Sequence, residues 1–218
     1  MIMHKPGTVF RFAPMKVPST RALFTSFVMG IGLMTSLVIG GCTQAPVPQD
    51  RYYRISAPAP TSGGMLLPGA VEVDRFGAEG LTSGRAIVFV EGDGADTLQE
   101  YNYDFWHKPP GDMLRDVMID YLRAANVANN FVTPEMRADA DYLLTGRIQA
   151  LETVRGSAPK AIVVLEIAVT DAKTGAVRLA RSYRAEVPAS DGSVKAAVAA
   201  VNQGVGDIFG RFLGDLRG

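Results

Sequence analysis

Cys42 is the only cysteine in this 218-residue chain, and it is the side chain best suited to covalent attachment. A thiolate is a strong nucleophile. The residues before it are Leu37-Val38-Ile39-Gly40-Gly41, the end of a long apolar run closed by two residues small enough to enter a peptidase cleft. Upstream, residues 1–41 carry Lys5, Arg11, Lys16 and Arg21 and no acid. A positive start, an apolar middle and a small-residue cleavage site are the layout of a secretory signal. With cysteine at the first mature position, the pattern resembles a bacterial lipobox in which Cys42 takes a diacylglycerol. The expected organisation is a signal over residues 1–41, a lipid-anchored tether over 42–50 and a domain over 51–218. Met15 offers a second, shorter start. The competing reading is a membrane span over residues 22–39, since about 18 apolar residues is the lower limit for crossing. Thr25, Ser26, Gly30, Gly32, Thr35 and Ser36 interrupt that stretch, and no charged cluster follows it.

Little else in the chain reads as reactive. His4 falls in the signal, and His107 stands beside Lys108 with no cysteine or second histidine to share a metal. Gly92-Asp93-Gly94 lacks the third glycine and the helix of a dinucleotide loop. No serine occupies a Gly-x-Ser-x-Gly elbow. Asp139 and Asp141 precede a strand and read as solvated loop charges. The expectation is a protein that is not an enzyme, without cofactor or metal.

The elements that must carry any binding surface follow from periodicity. Residues 43–50 are a short tether stiffened by Pro46 and Pro48. Strands are expected over residues 51–55, 71–76, 85–90 and 98–106, with a Pro/Gly/Ser-rich loop at 57–69. In the fourth, Tyr101, Tyr103 and Phe105 alternate with Asn102, Asp104 and Trp106; if the first set lines the core, Trp106 points away from it. Pro109-Pro110-Gly111-Asp112 starts a helix whose stripe is Met113, Leu114, Val117, Met118, Tyr121 and Leu122. Strands over 142–154, 161–170 and 177–187 then form an antiparallel meander turning at Gly175. A last helix begins near Asp191 or Ser193. Its stripe is Val194, Val198, Val201, Val205, Ile208 and Phe212, with Gly206, Gly210 and Gly214 forming a small face. That face either lies close on the sheet or makes a homo-oligomer contact. The fold class expected is α+β: one domain, a mostly antiparallel sheet packed by two amphipathic helices, one central and one C-terminal.

Composition narrows the partners. Residues 42–218 amount to 177 residues, enough for one domain with its own core. Losing residues 1–41 removes four of 22 basic residues and none of the 22 acids, which leaves a net charge of −4. A mildly acidic domain without a basic cluster argues against nucleic acid. If Cys42 carries lipid, no disulfide can form within the chain.

Taken together, the lipobox at Cys42, Tyr53-Arg54-Ile55, Arg85-Ala86-Ile87-Val88, the series Trp106, Pro109-Pro110, Met113-Leu114, the Thr174-Gly175 turn and the closing alanine-rich helix resemble the ABC-type transport auxiliary lipoproteins, the PqiC/YmbA-like family. The likeness spans about residues 51–216. It departs at His107-Lys108, where family members usually carry an acid. The resemblance implies a non-catalytic subunit of a lipid-handling system with an MCE-domain protein, an ABC permease and an ATPase, attached to the membrane through its N-terminal lipid. Thr43 after the lipobox cysteine, in place of Asp, resembles an outer-membrane destination facing the periplasm. Phe105, Trp106, Pro109 and Pro110 join a strand to a helix, and aromatic residues at such junctions often anchor interfaces, so they are candidate partner contacts; the alternative is that Trp106 packs over the N-terminus of the following helix. The runner-up is an outer-membrane assembly lipoprotein supporting a β-barrel or envelope complex.

Overall fold

The computed structural model describes residues 47–218, so Cys42 and the expected signal lie outside the described residues. Eight strands form one sheet: β1 Arg51–Tyr53, β2 Leu67–Val73, β3 Ala86–Glu91, β4 Leu98–Trp106, β5 Ala128–Val132, β6 Tyr142–Arg155, β7 Lys160–Asp171 and β8 Val177–Pro188. Helix α1 is Pro110–Ala124 and α2 is Val194–Arg217. The long β6 is the axis of the sheet. One of its edges carries β7 along nearly the whole length, with β8 outside it. The other edge forks: β2 pairs with the start of β6 and β3 with its end. From there β5 lies outside β2, and β4 then β1 lie outside β3.

The α+β class and the single domain stand, and the β6–β7–β8 meander is antiparallel as expected. The sheet as a whole is mixed. The pairs β1/β4, β2/β5, β2/β6 and β3/β6 are parallel, because helices and long connections return the chain to the same end of the sheet.

Both helices cover one face. On β7 the inward set is Ala161, Val163, Leu165, Ile167 and Val169, all fully buried. On β6 it is Tyr142, Leu144 and Ile148, then Leu151 and Thr153. The change from even to odd follows from a bulge between Ile148 and Ala150, which inserts a residue and keeps both halves of the strand on the core. The bulge leaves Val154 on the far face, where it joins Val90 and Ile162 in a small second cluster.

Helix α2 is capped by Ser193, whose hydroxyl accepts the Ala196 N–H at 3.1 Å. Its stripe of Val201, Val205, Ile208, Phe209 and Phe212 is sealed from water. The glycine face behaves differently from the expectation. The glycine that lies on the sheet is Gly204, whose missing Cβ would meet Val163, Ala185 and Val187. Gly206 turns the other way and accepts the ring of Pro58, while Gly210 and Gly214 are exposed. Pro58 belongs to a strap, residues 54–63, which runs between the helices. The Ser56 N–H donates to Asn202 at 3.0 Å, and Arg217 donates to the Ser62 carbonyl at 3.1 Å. What composition reads as a free loop is therefore packed, with Ile55 buried beneath it.

Candidate functional site

The end of β4 and the start of α1 carry the residues expected to contact a partner. The structure separates them. Trp106 is 2% exposed and belongs to the core, which corrects its reading as an outward-facing anchor. The reason is a slip in the β3–β4 register: Ala86 pairs with Phe105, yet Val88 pairs with Glu100. The bulge flips β4, so its last residues present Asp104 and Trp106 inward. Tyr103 is exposed and Phe105 half-buried, on the outer side. Tyr101, before the slip, stacks on Phe89 with ring centres 4.5 Å apart. Pro110 is buried as the first residue of α1, and Pro109 is half-buried at its N-cap with φ −52°. Of the four candidates, Phe105 and Pro109 keep any access to solvent.

Trp106 is fastened by its backbone. Its N–H donates to the Arg85 carbonyl at 2.6 Å, and Arg85 Nε donates to the Trp106 carbonyl at 3.1 Å. The next N–H, of His107, donates to the Tyr53 carbonyl at 2.9 Å and ties β1 to the same point. His107 Nδ1 is buried without a protein partner.

Sequence reasoning missed the clamp on β1. Asp104, 3% exposed, accepts Arg51 on both oxygens at 2.8 Å and the Tyr53 hydroxyl at 2.9 Å. A buried carboxylate needs such donors to offset its lost hydration. The hydrogen bond to Asp104 raises the Arg51 pKa further above its ordinary value. Burial, followed by its own hydrogen bond to Asp104, pushes the Tyr53 phenol up. The spacing that could have signalled the clamp is Arg51 and Tyr53 at i, i+2 beside a strand with an acid between aromatics. The pairing is parallel and 53 residues apart, so nothing local announces it.

Asp141 also departs from the solvated reading. It accepts the Ala70 N–H at 3.0 Å and Lys173 Nζ at 3.1 Å, joining β2 to the β7–β8 turn. That backbone N–H, then Lys173, holds its carboxyl below the usual carboxylate range.

Recesses are shallow or open. One of about 380 Å³ lies between the strap, at Ile55 to Pro60, and Val117, Asp120 and Tyr121 of α1. Another, about 630 Å³, is a broad groove between β8 and α2 edged by Arg184, Glu186, Asp207 and Arg211. Among the described residues no three His, Cys, Asp or Glu side chains converge as metal ligands, and no helix is long and apolar enough to cross a membrane. The core between sheet and helices is filled, and these recesses lie at its surface.

The chain matches the family described as ABC-type transport auxiliary lipoprotein component over residues 53–209. The solved structure of protein XCC0632 from Xanthomonas campestris shares the fold at a TM-score of 0.67 and 18% identity, covering 75% of this chain and 93% of its own. A crystal structure of an uncharacterised protein aligns at a TM-score of 0.59 and 14% identity, over 77% of this chain and 98% of that one. No curated protein matches the chain.

Proposed function

The chain belongs to the ABC-type transport auxiliary lipoprotein family, and from that premise we propose that it is the non-catalytic, lipid-anchored subunit of an MCE-type ABC system that moves phospholipid or another lipid. The family match over residues 53–209 carries the reading. Residues 1–41 are the signal, Cys42 holds the lipid, residues 42–50 are the tether and 51–218 the working domain. The anchor is in the outer membrane, consistent with Thr43 after the cysteine, and the domain faces the periplasm. Each buried acyl CH₂ contributes about 0.8 kcal/mol, so several chains hold the protein essentially permanently.

The domain acts by docking the periplasm-spanning MCE partner near that membrane. ATP hydrolysis belongs to another subunit, since no Gly-x-x-x-x-Gly-Lys-Ser/Thr loop occurs in this sequence. The side chains between sheet and helices pack against one another, and the recesses described are open grooves, which favours docking over carriage of lipid inside the domain.

The test is affinity capture of the lipidated protein from membranes, followed by mass spectrometry. MCE, permease and ATPase subunits are the expected companions. Capture of a β-barrel assembly complex in their place would replace this reading with an envelope-assembly role.

A further inference from the structure

The outer face of the β1/β4 edge is an exposed aromatic patch. Tyr52 is 56% and Tyr103 43% exposed, with Phe105 half-buried between them. Tyr52 and Phe105 are in register across the parallel pair with ring centres 5.9 Å apart. Tyr103 is two residues before Phe105 and shares its side of the strand. Arg85 lies over the Tyr52 ring at 5.3 Å, its Nε held by the Trp106 carbonyl and its terminal nitrogens pointing to no protein acceptor among the described hydrogen bonds. Of the two acids on β4, Asp104 is turned to the opposite face and neutralised by Arg51. Two carboxylates border the patch: Asp50 accepts the Tyr52 hydroxyl at 3.2 Å, and the exposed Glu100 lies beside Gly84, the neighbour of Arg85.

We infer that this face rests on the phospholipid headgroups of the membrane that anchors the chain; the inference depends on the Cys42 anchor proposed above. Chain length selects lipid over other occupants. Arg51 is nine residues from Cys42. Nine extended residues span about 30 Å at most, and a tether stiffened by Pro46 and Pro48 approaches that reach. The opposite edge, β8, is five strand spacings from β1, or about 24 Å farther along the sheet. The patch thus lies on the edge of the domain that the tether keeps nearest the bilayer. Its chemistry fits that position. Tyrosine rings combine an apolar body with a polar tip and concentrate at the water–lipid boundary. A guanidinium braced on a ring matches a phosphate.

The test uses the full lipidated chain in vesicles of phosphatidylethanolamine and phosphatidylglycerol bearing a headgroup nitroxide. With Cys42 in a thioether, a Tyr103→Cys variant has a single free thiol for a bimane label. Val177→Cys, 63% exposed on β8, is the reference. Quenching at position 103 is expected to exceed that at 177 several-fold. Adding Tyr52→Ser and Arg85→Glu should shrink the difference while the protein stays on the vesicles and Trp106 emission stays unchanged. Equal quenching at both positions in acylated, vesicle-bound protein overturns the inference and leaves the anchor standing. A second free thiol, at position 42, overturns the anchor and the inference together. Protection of position 103 that appears only when a purified periplasmic partner is added, or only through self-association of the label, assigns the patch to protein and overturns the lipid reading.

Discussion

Gly69 and Asp141 share one small space at the seam between β2 and β6. Gly69 has φ +123°, a region that side chains rarely adopt, and a Cβ there would fall on the Asp141 carboxylate. Gly69→Ala is expected to cost about 1–3 kcal/mol by backbone strain alone; an unchanged denaturation midpoint would contradict it. The same seam contributes to the pH response. A backbone N–H holds the Asp141 carboxyl down, the Thr174 N–H does the same for Asp171, and Arg147 does so for Glu166. The Thr133 hydroxyl, with Arg115, lowers Glu135 to about 2. Each binds its proton more weakly folded than unfolded. Their stabilisation is therefore complete above about pH 5 and is lost as pH falls through the depressed folded values. Glu152, raised by burial, opposes this trend. Melting temperature is expected to be flat near neutrality and to drop steadily below about pH 4; a maximum at acid pH would refute the assignment. Trp106, the sole tryptophan and 2% exposed, should emit at short wavelength and resist aqueous quenchers. At Cys42, substitution by Ser is expected to abolish acyl labelling and leave the precursor unprocessed. Normal labelling of that variant would remove the anchor.

At the scale of elements, both helices and the β6–β7–β8 meander were legible, because their apolar residues repeat at 3.6 or 2. The faces of β4 and β6 were harder to read. A bulge resets the period in the middle of each strand, and a bulge is a property of the pairing, so alternation in one strand alone cannot place it. Strand β5 went unassigned for a different reason. Ala128-Asn129-Asn130-Phe131-Val132 carries two poor strand formers and becomes a strand because α1 delivers it to the edge of β2. Helix α2 supplies the clearest energetic test. Phe212 is fully buried and meets Tyr183 edge-on at 6.4 Å. Phe212→Ala is expected to cost about 3–5 kcal/mol, and an unchanged melting curve would mean that its face is not core. Gly206→Val presses on Pro58 and should lift the strap. Faster amide exchange over residues 54–63, with α2 itself still protected, is the expected signature.

For the whole molecule, the core is continuous from Ile55 through both helices to Leu213, apart from the small cluster around Val90. A chain beginning at Pro48 is expected to fold without its anchor and melt in one cooperative step. An aggregating, molten product would mean that a partner or second copy completes the core. The mixed order of the sheet was the least legible feature, since its parallel pairs join segments far apart in sequence.

The β1 clamp also determines how the domain yields under tension. A load arriving from the N-terminal end meets three paired residues and the Arg51–Asp104 contact before it meets anything else. Behind them is the strap, and then β2, which is locked inside the sheet. Once the strap's contacts with α2 and the burial of Ile55 give way, residues 51–66 can extend while the sheet holds. Sixteen residues add roughly 50 Å of reach, which under the proposed anchoring and docking would keep a partner engaged as the gap to the membrane widens. The shortest strand of the fold would act as its shock absorber.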